Sequence, residues 1–269
     1  MTHISAVVLT LNEEDYIEGC LKSIQWCDEI IIVDGYSEDS TIEIASRYAD
    51  NIIQTKSKTN FDELRKIGVN QAEGEWILTI DADERIKKGL AESLLDISRG
   101  EQYDVVSIPR KNYFLGEWRS NAGWPDYVVR FFRPGEVVLG NKVHNFIDIN
   151  PEARVKKLDP DPEIAIEHFS YLGIRDRLDR INRYTDIEAD QVKKPEFFRL
   201  FLGPMKRFIA QFVLRKDYRW GIRGLIASIM DSFYVFLEEL KCLERRRLGG
   251  EDQYISSYKR RDKELEFKT

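Results

Sequence analysis

Two hydrophobic periodicities alternate through the first hundred residues, and this restricts the fold more than any other property of the chain. "ISAVVLTL" is a short apolar run. "NEEDYIEGCLKSIQW" follows, with Tyr16, Ile17, Cys20, Leu21 and Ile24 at helical spacing. "DEIIIVDG" reads as a second strand ended by glycine, and "SEDSTIEIASRYA" as a helix whose Ser40 and Glu43 suit a capping box. Then come "NIIQT" as a short strand, "FDELRKIGVNQA" as a helix and "EWILTI" as a strand. The strand runs are apolar almost throughout, which suits a parallel sheet covered on both faces. Such alternation predicts a doubly wound α/β domain whose ligands bind beyond the carboxyl ends of the strands. Asp34 and Asp81 fall at two of those ends.

From Asp104 to about Asn150 the texture changes. "YDVVSIPRKNYFLGEW" and "DYVVRFFRPGEVVLG" are aromatic and β-branched with Pro-Gly turns, and predict strands that extend the sheet and form an acceptor face. Beyond Tyr171 the pattern is helical, so the expected division is a domain over 1–170 and a helical, basic region over 171–269. A net charge of −6 argues against general nucleic-acid binding, yet the charge is uneven. From Lys193 onward 18 Lys and Arg stand against 11 Asp and Glu, whereas the rest carries 23 against 36. A basic tail on an acidic body points to a negatively charged surface such as phosphate or anionic lipid. Cys20, Cys27 and Cys242 form no CxxC pair, which fits a reducing compartment. "ISAVVLTL" lacks a basic leader, and no uninterrupted apolar stretch reaches the roughly 18 residues of a membrane span. The expected location is the cytoplasm.

"DADE" carries the chemistry. Asp81, Asp83 and Glu84 crowd three carboxylates behind a buried strand, where they repel unless something neutralises them. Asp-x-Asp at that place suits Mn²⁺ or Mg²⁺ bridging to a diphosphate, the alternative being a solvated turn with Asp83 capping a helix. Asp34 suits a nucleobase or ribose contact, or an Asx turn. Asn12 and Glu13 open the first helix as ligand contacts or as an N-cap. Arg65 reaches a phosphate or lies on a solvated face. Asp126, among Trp124, Pro125 and Tyr127, suits a general base beside a sugar ring, against a turn aspartate. His144 in "NKVHNF" is a candidate third metal ligand or diphosphate contact, against a core histidine. His168 in "IEHFSY" reads as structural, and Arg130 and Arg133 either compensate diphosphate charge or, more simply, form a basic rim. In the tail, Phe197, Phe198, Phe201, Phe208 and Phe212 lie beside Arg199, Lys206, Arg207 and Arg215. They suit either helix packing or contact with an anionic bilayer.

Taken together, "VVLTLNEEDYIEGCLKSI", "DEIIIVDGYSEDST" and "NQAEGEWILTIDADER" resemble the inverting, metal-dependent glycosyltransferases of family two. "IPRKNYFLGEW", "GWPDYVVRFFR", "KVHNF" and "HFSYLGIRDRLDRINRYTDIEA" resemble the lipopolysaccharide-core glucosyltransferase branch of that family. The resemblance implies a GT-A fold: a doubly wound, Rossmann-like mixed sheet that binds a nucleotide sugar, here with a C-terminal helical appendage. It implies a nucleotide-sugar site made of Leu9, Thr10, Leu11, Asn12, Glu13, Asp34, Arg65, Asp81, Ala82 and Asp83. In it Asp34 lies at the base, Arg65 near the diphosphate and Asp83 on the metal, with Asp81 supporting metal or ribose. Two positions depart from the branch. Arg65-Lys66 stands where Lys-Asn is usual, and "VHN" with Asn145 stands where "VHE" is usual, which moves the candidate base to Asp126. The implied partners are a UDP- or GDP-linked sugar and a glycan or lipid-linked acceptor, with peripheral contact at the inner face of the cytoplasmic membrane through the C-terminal helices. Transfer to polyprenol phosphate and a non-catalytic membrane scaffold are the competing readings. "DADER" in place of the "DADLQ" usual for polyprenol-phosphate transferases weighs against the former.

Overall fold

The structure is a computed structural model that describes residues 2–55, 61–120, 124–139, 147–170, 173–189 and 198–266. The chain divides into two compact units, Met1–Ser170 and Tyr171–Thr269. In the first, β1 (Ile4–Thr10), β2 (Glu29–Asp34), β3 (Asn51–Gln54) and β4 (Trp76–Asp81) alternate with α1 (Ile17–Ser23), α2 (Thr41–Ala45) and α3 (Phe61–Gln71). β5 (Glu84–Ile86), α4 (Lys88–Ser98), β6 (Val105–Phe114), β7 (Glu117–Trp118) and β8 (Asp126–Phe132) follow. β9 (Val137–Val138), β10 (Asp148–Ile149), β11 (Val155–Lys157) and β12 (Ile166–Phe169) complete the unit.

The main sheet runs β3-β2-β1-β4-β8-β6-β12-β5, with β7 and β11 also on β6, while β9 and β10 form a separate ribbon. The first four strands are parallel. β8 runs antiparallel to both β4 and β6, and β12 is parallel to β6 but antiparallel to β5. The aromatic, β-branched stretch after Asp104 therefore does extend the sheet.

Alternation along each strand sorts side chains between two cores. Ile4, Ala6, Val8, Ile30, Ile32, Leu78 and Ile80 pack with Ile17, Cys20 and Leu21 of α1 and with Leu90 and Leu94 of α4. Val7, Leu9, Ile31, Val33 and Ile77 face the other way, toward Leu64 of α3. Helix α3 lies close because of Gly68. A Cβ there would stand 2.3 Å from Val7 Cγ1 and 2.8 Å from Val33 Cγ2. The three cysteines are free, and burial pushes the Cys20 and Cys27 thiols up.

Both expected caps are replaced by bonds between loops. Helix α1 begins at Ile17, and Asn12 sits in the left-handed region at φ 54°. Its Oδ1 accepts from the Glu38 N–H at 2.8 Å, and its own N–H donates to Ser37 Oγ at 2.8 Å. Ser40 makes no side-chain cap, and Glu43 does not close the box: the Ser40 N–H goes to Glu14 Oε2 at 3.0 Å and Glu43 pairs with Arg47 at 2.8 Å. Glu13 N–H in turn donates to Thr41 Oγ1 at 2.8 Å. The loops after β1 and β2 are thus stapled together, and a partner in the neighbouring loop has displaced the local cap.

The second unit is helical: α5 (Ile174–Ala189), α6 (Arg199–Ile209) with a π turn over Ala210–Leu214, α7 (Gly221–Leu243) and α8 (Gly250–Glu266). α5 and α7 are joined by polar bonds. Arg177 pairs with Asp231, Tyr234 donates to Glu188 at 2.5 Å, and Lys241 and Arg245 reach Asp186 at 3.0 and 2.7 Å. The helical stretch Asp217–Leu248 is long and apolar enough, by length and composition, to cross a membrane, although charged residues interrupt its apolar run in the sequence. Phe197 lies outside the described residues.

Candidate active site

Strand ends create the site. Leu9 pairs with Asp81 and Thr10 with Asp34, so the carboxyl ends of β2, β1 and β4 are level. Asp34 is buried and already engaged. Its carboxylate accepts from Ser37 N–H at 2.9 Å, Ser37 Oγ at 2.5 Å and Gln54 Nε2 at 3.0 Å. This is the Asx-turn geometry, and it fixes the loop stapled to Asn12. Thr10 Oγ1, at the tip of β1, is buried with no hydrogen-bond partner among the described residues.

The crowding at "DADE" is relieved mostly by arginine. Alternation puts Asp81 on the α3 side of the sheet, where Arg65 Nη2 donates to Oδ1 at 2.8 Å, and Arg130 of β8 donates to Oδ2. Burial works against the Asp81 charge, but Arg130 and then Arg65 outweigh it and hold its carboxyl well below the usual range. Glu84 is fully buried. Its Oε1 accepts from Arg130 at 3.0 Å and from Arg110 of β6 at 3.1 Å, and its Oε2 from the Asp81 N–H at 3.1 Å. Removing one arginine from such a buried set leaves an uncompensated charge, a loss of about 3–5 kcal/mol. Arg65 and Arg130, for which a solvated face and a basic rim were the alternatives to a phosphate contact, are both buried in this network.

Asp83 has a different neighbour. Its Oδ2 lies 3.6 Å from His168 Nε2, and its carbonyl accepts from the Phe169 N–H at 2.9 Å. Strand register delivers the histidine, since His168 pairs with Glu84 of β5 on one side and Asn112 of β6 on the other. Asp126 likewise pairs with Arg110 across β8 and β6. Arg110 Nε and Nη2 reach Asp126 Oδ2 at 3.0 and 2.8 Å, and Asn112 Nδ2 joins them at 2.9 Å. Burial opposes the Asp126 charge, but Arg110 and Asn112 prevail and hold its carboxyl below the usual range. Among the described residues all three donors converge on Oδ2, so Oδ1 is the oxygen left to meet a substrate proton. Trp124 lies edge-on to Trp118, centroids 5.2 Å apart, next in the chain to Pro125 and Asp126.

A fixed tautomer follows. Because the Asn112 amide nitrogen donates to Asp126, its Oδ1 is the atom 2.6 Å from His168 Nδ1. The ring therefore donates from Nδ1, and Nε2 is the nitrogen turned toward the Asp83 carboxylate, with a proton on it in the imidazolium and a lone pair in the neutral ring. With the ring neutral, this carboxylate and imidazole form a donor set that suits Mn²⁺ or Mg²⁺ with further ligands from substrate and water. Asp81 is committed to two guanidinium groups, which leaves Asp83 the better ligand. No cluster of three or more such side chains forms among the described residues. His144 lies outside them, as does Asn145. Among the described residues, His168 is the histidine at the acidic motif. No local sequence signal marked His168, because its neighbours come from strands more than fifty residues earlier in the chain.

Residues 5–160 match the model of a known family, described as glycosyl transferase family 2. The chain belongs to glycosyl transferase family 2. As a family-2 member it is a glycosyltransferase, and the first unit is the mixed α/β sheet expected of the GT-A type. This glycosyltransferase is 28% identical over 262 residues to the lipopolysaccharide core biosynthesis glycosyltransferase LpsC of Rhizobium meliloti (strain 1021), covering 91% of this chain and 93% of that one. It is 30% identical over 154 residues to the poly(ribitol-phosphate) beta-N-acetylglucosaminyltransferase TarS of Staphylococcus aureus (strain Mu50 / ATCC 700699), covering 53% and 26%. Among solved structures it resembles S. aureus TarS 1–349, with a TM-score of 0.45 and 16% identity over 93% of this chain and 92% of that one.

Proposed function

We propose that this glycosyltransferase moves a sugar, with inversion, from a UDP- or GDP-linked donor to a hydroxyl of a cell-envelope glycan or lipid-linked glycan. The observation that carries the reading is the facing pair Asp83 and His168, with the Asp126 carboxylate one amide away through Asn112. The lipopolysaccharide-core name of the relative spanning most of the chain supports an acceptor of that kind. The work takes place in the cytoplasm, with peripheral contact to the inner face of the membrane through the C-terminal helices.

Each residue then has a task. Leu9, Thr10, Leu11, Asn12 and Glu13, with Asp34, line the nucleotide, the stapled loops keeping that wall rigid. Arg65 and Arg130 hold Asp81 ionised, and Asp81 with Ala82 sets the path of the chain into Asp83. Asp83 and His168 would hold Mn²⁺ or Mg²⁺. Such a cation stabilises the negative charge that develops on a departing diphosphate. Asp126 Oδ1 takes the proton of the acceptor hydroxyl as that oxygen attacks the anomeric carbon, while Arg110 and Asn112 fix the carboxylate through Oδ2. The nucleoside diphosphate departs on the opposite side.

Arg110 also lowers the basicity of Asp126, and this favours a second reading, transfer to a polyprenol phosphate, whose acceptor needs no strong base. Asp83→Asn and His168→Ala should each abolish metal-stimulated release of nucleoside diphosphate while circular dichroism stays that of the wild type. Normal turnover in Asp83→Asn would overturn the assignment. Asp126→Asn separates the acceptors: a fall in kcat of about 10²–10⁴-fold marks a hydroxyl acceptor, and retained turnover marks the phosphate.

A further inference from the structure

α6 turns its apolar side outward. Phe198, Phe201, Leu202, Met205, Ile209 and Val213 recur at intervals of three and four and so share one face. Phe198 is 75%, Phe201 59% and Met205 53% exposed. A different side of the helix packs on α7: a Cβ on Gly203 would stand 3.1 Å from Val235 Cγ1, and buried Gln211 donates to Asp231 at 2.9 Å. Surface helices of soluble domains place apolar residues the other way round. Removing apolar side chains of this size from water is favourable, so the face favours a partner.

Charge selects the partner. Between Phe198 and Arg223 seven Lys and Arg stand against one acid, Asp217, and that acid is buried. Arg199 and Lys206 directly follow Phe198 and Met205 and so lie about 100° further round the helix, at the border of the stripe. An apolar centre with a cationic border matches an anionic bilayer surface, whose acyl region takes the rings and whose phosphates take the cations. A second copy of this chain would set the same cations against each other. α7 is the competing element, being long and apolar enough to span. It is tied to polar α5, however, through Asp231, Tyr234 and Lys241, and through Arg245 two residues past its end. Entering hydrocarbon would break those pairs or draw charged α5 in with it.

We propose that α6 is an in-plane anchor that lays its Phe198–Val213 stripe into the headgroup–acyl boundary of an anionic membrane, while α7 stays within the protein. This rests on the membrane contact proposed above and narrows it to one face and one mode. The test is flotation of the full chain with vesicles of phosphatidylcholine alone and of equimolar phosphatidylcholine and phosphatidylglycerol. The anchor requires flotation with the anionic vesicles only, weakening as salt rises, and release by carbonate from membranes of an expressing strain. Met205→Glu/Ile209→Glu should lose flotation by about tenfold or more, with circular dichroism and nucleoside-diphosphate release unchanged. Undiminished flotation of that variant overturns the α6 anchor and leaves membrane contact standing. Resistance to carbonate overturns the in-plane mode in favour of α7. Absence of flotation overturns both, as does a dimer that the double variant dissociates without any lipid binding. Sugar transfer is read separately from each of these outcomes.

Discussion

Asn112 joins two groups that the chemistry would use at different moments: its amide nitrogen holds Asp126 and its oxygen orients His168. Asn112→Ala should leave the fold intact and weaken Mn²⁺ binding about 10–100-fold in calorimetry, the usual effect of removing an outer partner of a metal-binding histidine. Unchanged affinity would mean that the ring is set by Ser170, whose Oγ lies 3.2 Å from the same nitrogen. At this scale the sequence was a partial guide. It marked Asp83, Asp34 and Asp126 as groups needing partners, because a carboxylate at a strand end or beside tryptophans is an anomaly visible in the letters. It gave Arg130 and His168 ordinary roles, since nothing local to either states which strand it will face.

Helix α3 shows how an element sets the site. Gly68 lets the helix sit against Val7 and Val33, and Arg65, nearly one turn earlier, then reaches Asp81. Gly68→Ala should destabilise by about 1–3 kcal/mol in urea denaturation through overpacking, and weaken the Arg65–Asp81 pair as the helix retreats. Asp104, which precedes β6, is held to Arg154, which precedes β11, and makes an acid-labile clamp. Side-chain donation by Arg154 at 2.7 and 2.8 Å and its backbone N–H at 2.9 Å hold the Asp104 carboxyl at about 2, below its ordinary 3.8. A lowered pKa in the folded state gives stability that is full above 3.8 and is lost as pH falls toward 2. The urea midpoint of Asp104→Asn should therefore fall less steeply than that of the wild type across this window. Strand and helix order was legible at this scale because hydrophobic period differs between the two. The caps were not, because Asn12 and Ser40 found partners in the opposite loop.

At the scale of the molecule, a ligand that binds only the folded first unit must raise its unfolding temperature. UDP or GDP with Mn²⁺ at a hundred times its Kd should add about 2.7 kcal/mol. Scanning calorimetry should show that shift in the wild type and not in Asp83→Asn. An equal shift in the variant would place the metal elsewhere. What the sequence by itself determined is the run of strands and helices through β4, the carboxylates at the strand ends, and the helical, basic character after Tyr171. These depend on periodicity and composition, which are local. Only the tertiary structure decided which charges meet. The pairing of β12 with β5 and β6, and of β8 with β4 and β6, brings His168 to Asp83, Arg110 to Asp126 and Arg130 between Asp81 and Glu84. It also decided that Phe198 and Phe201 face outward at the start of α6, a choice that depends on which of its faces packs on α7. Register between strands distant in the chain is settled by burial of whole faces, a sum over many residues that no short stretch contains.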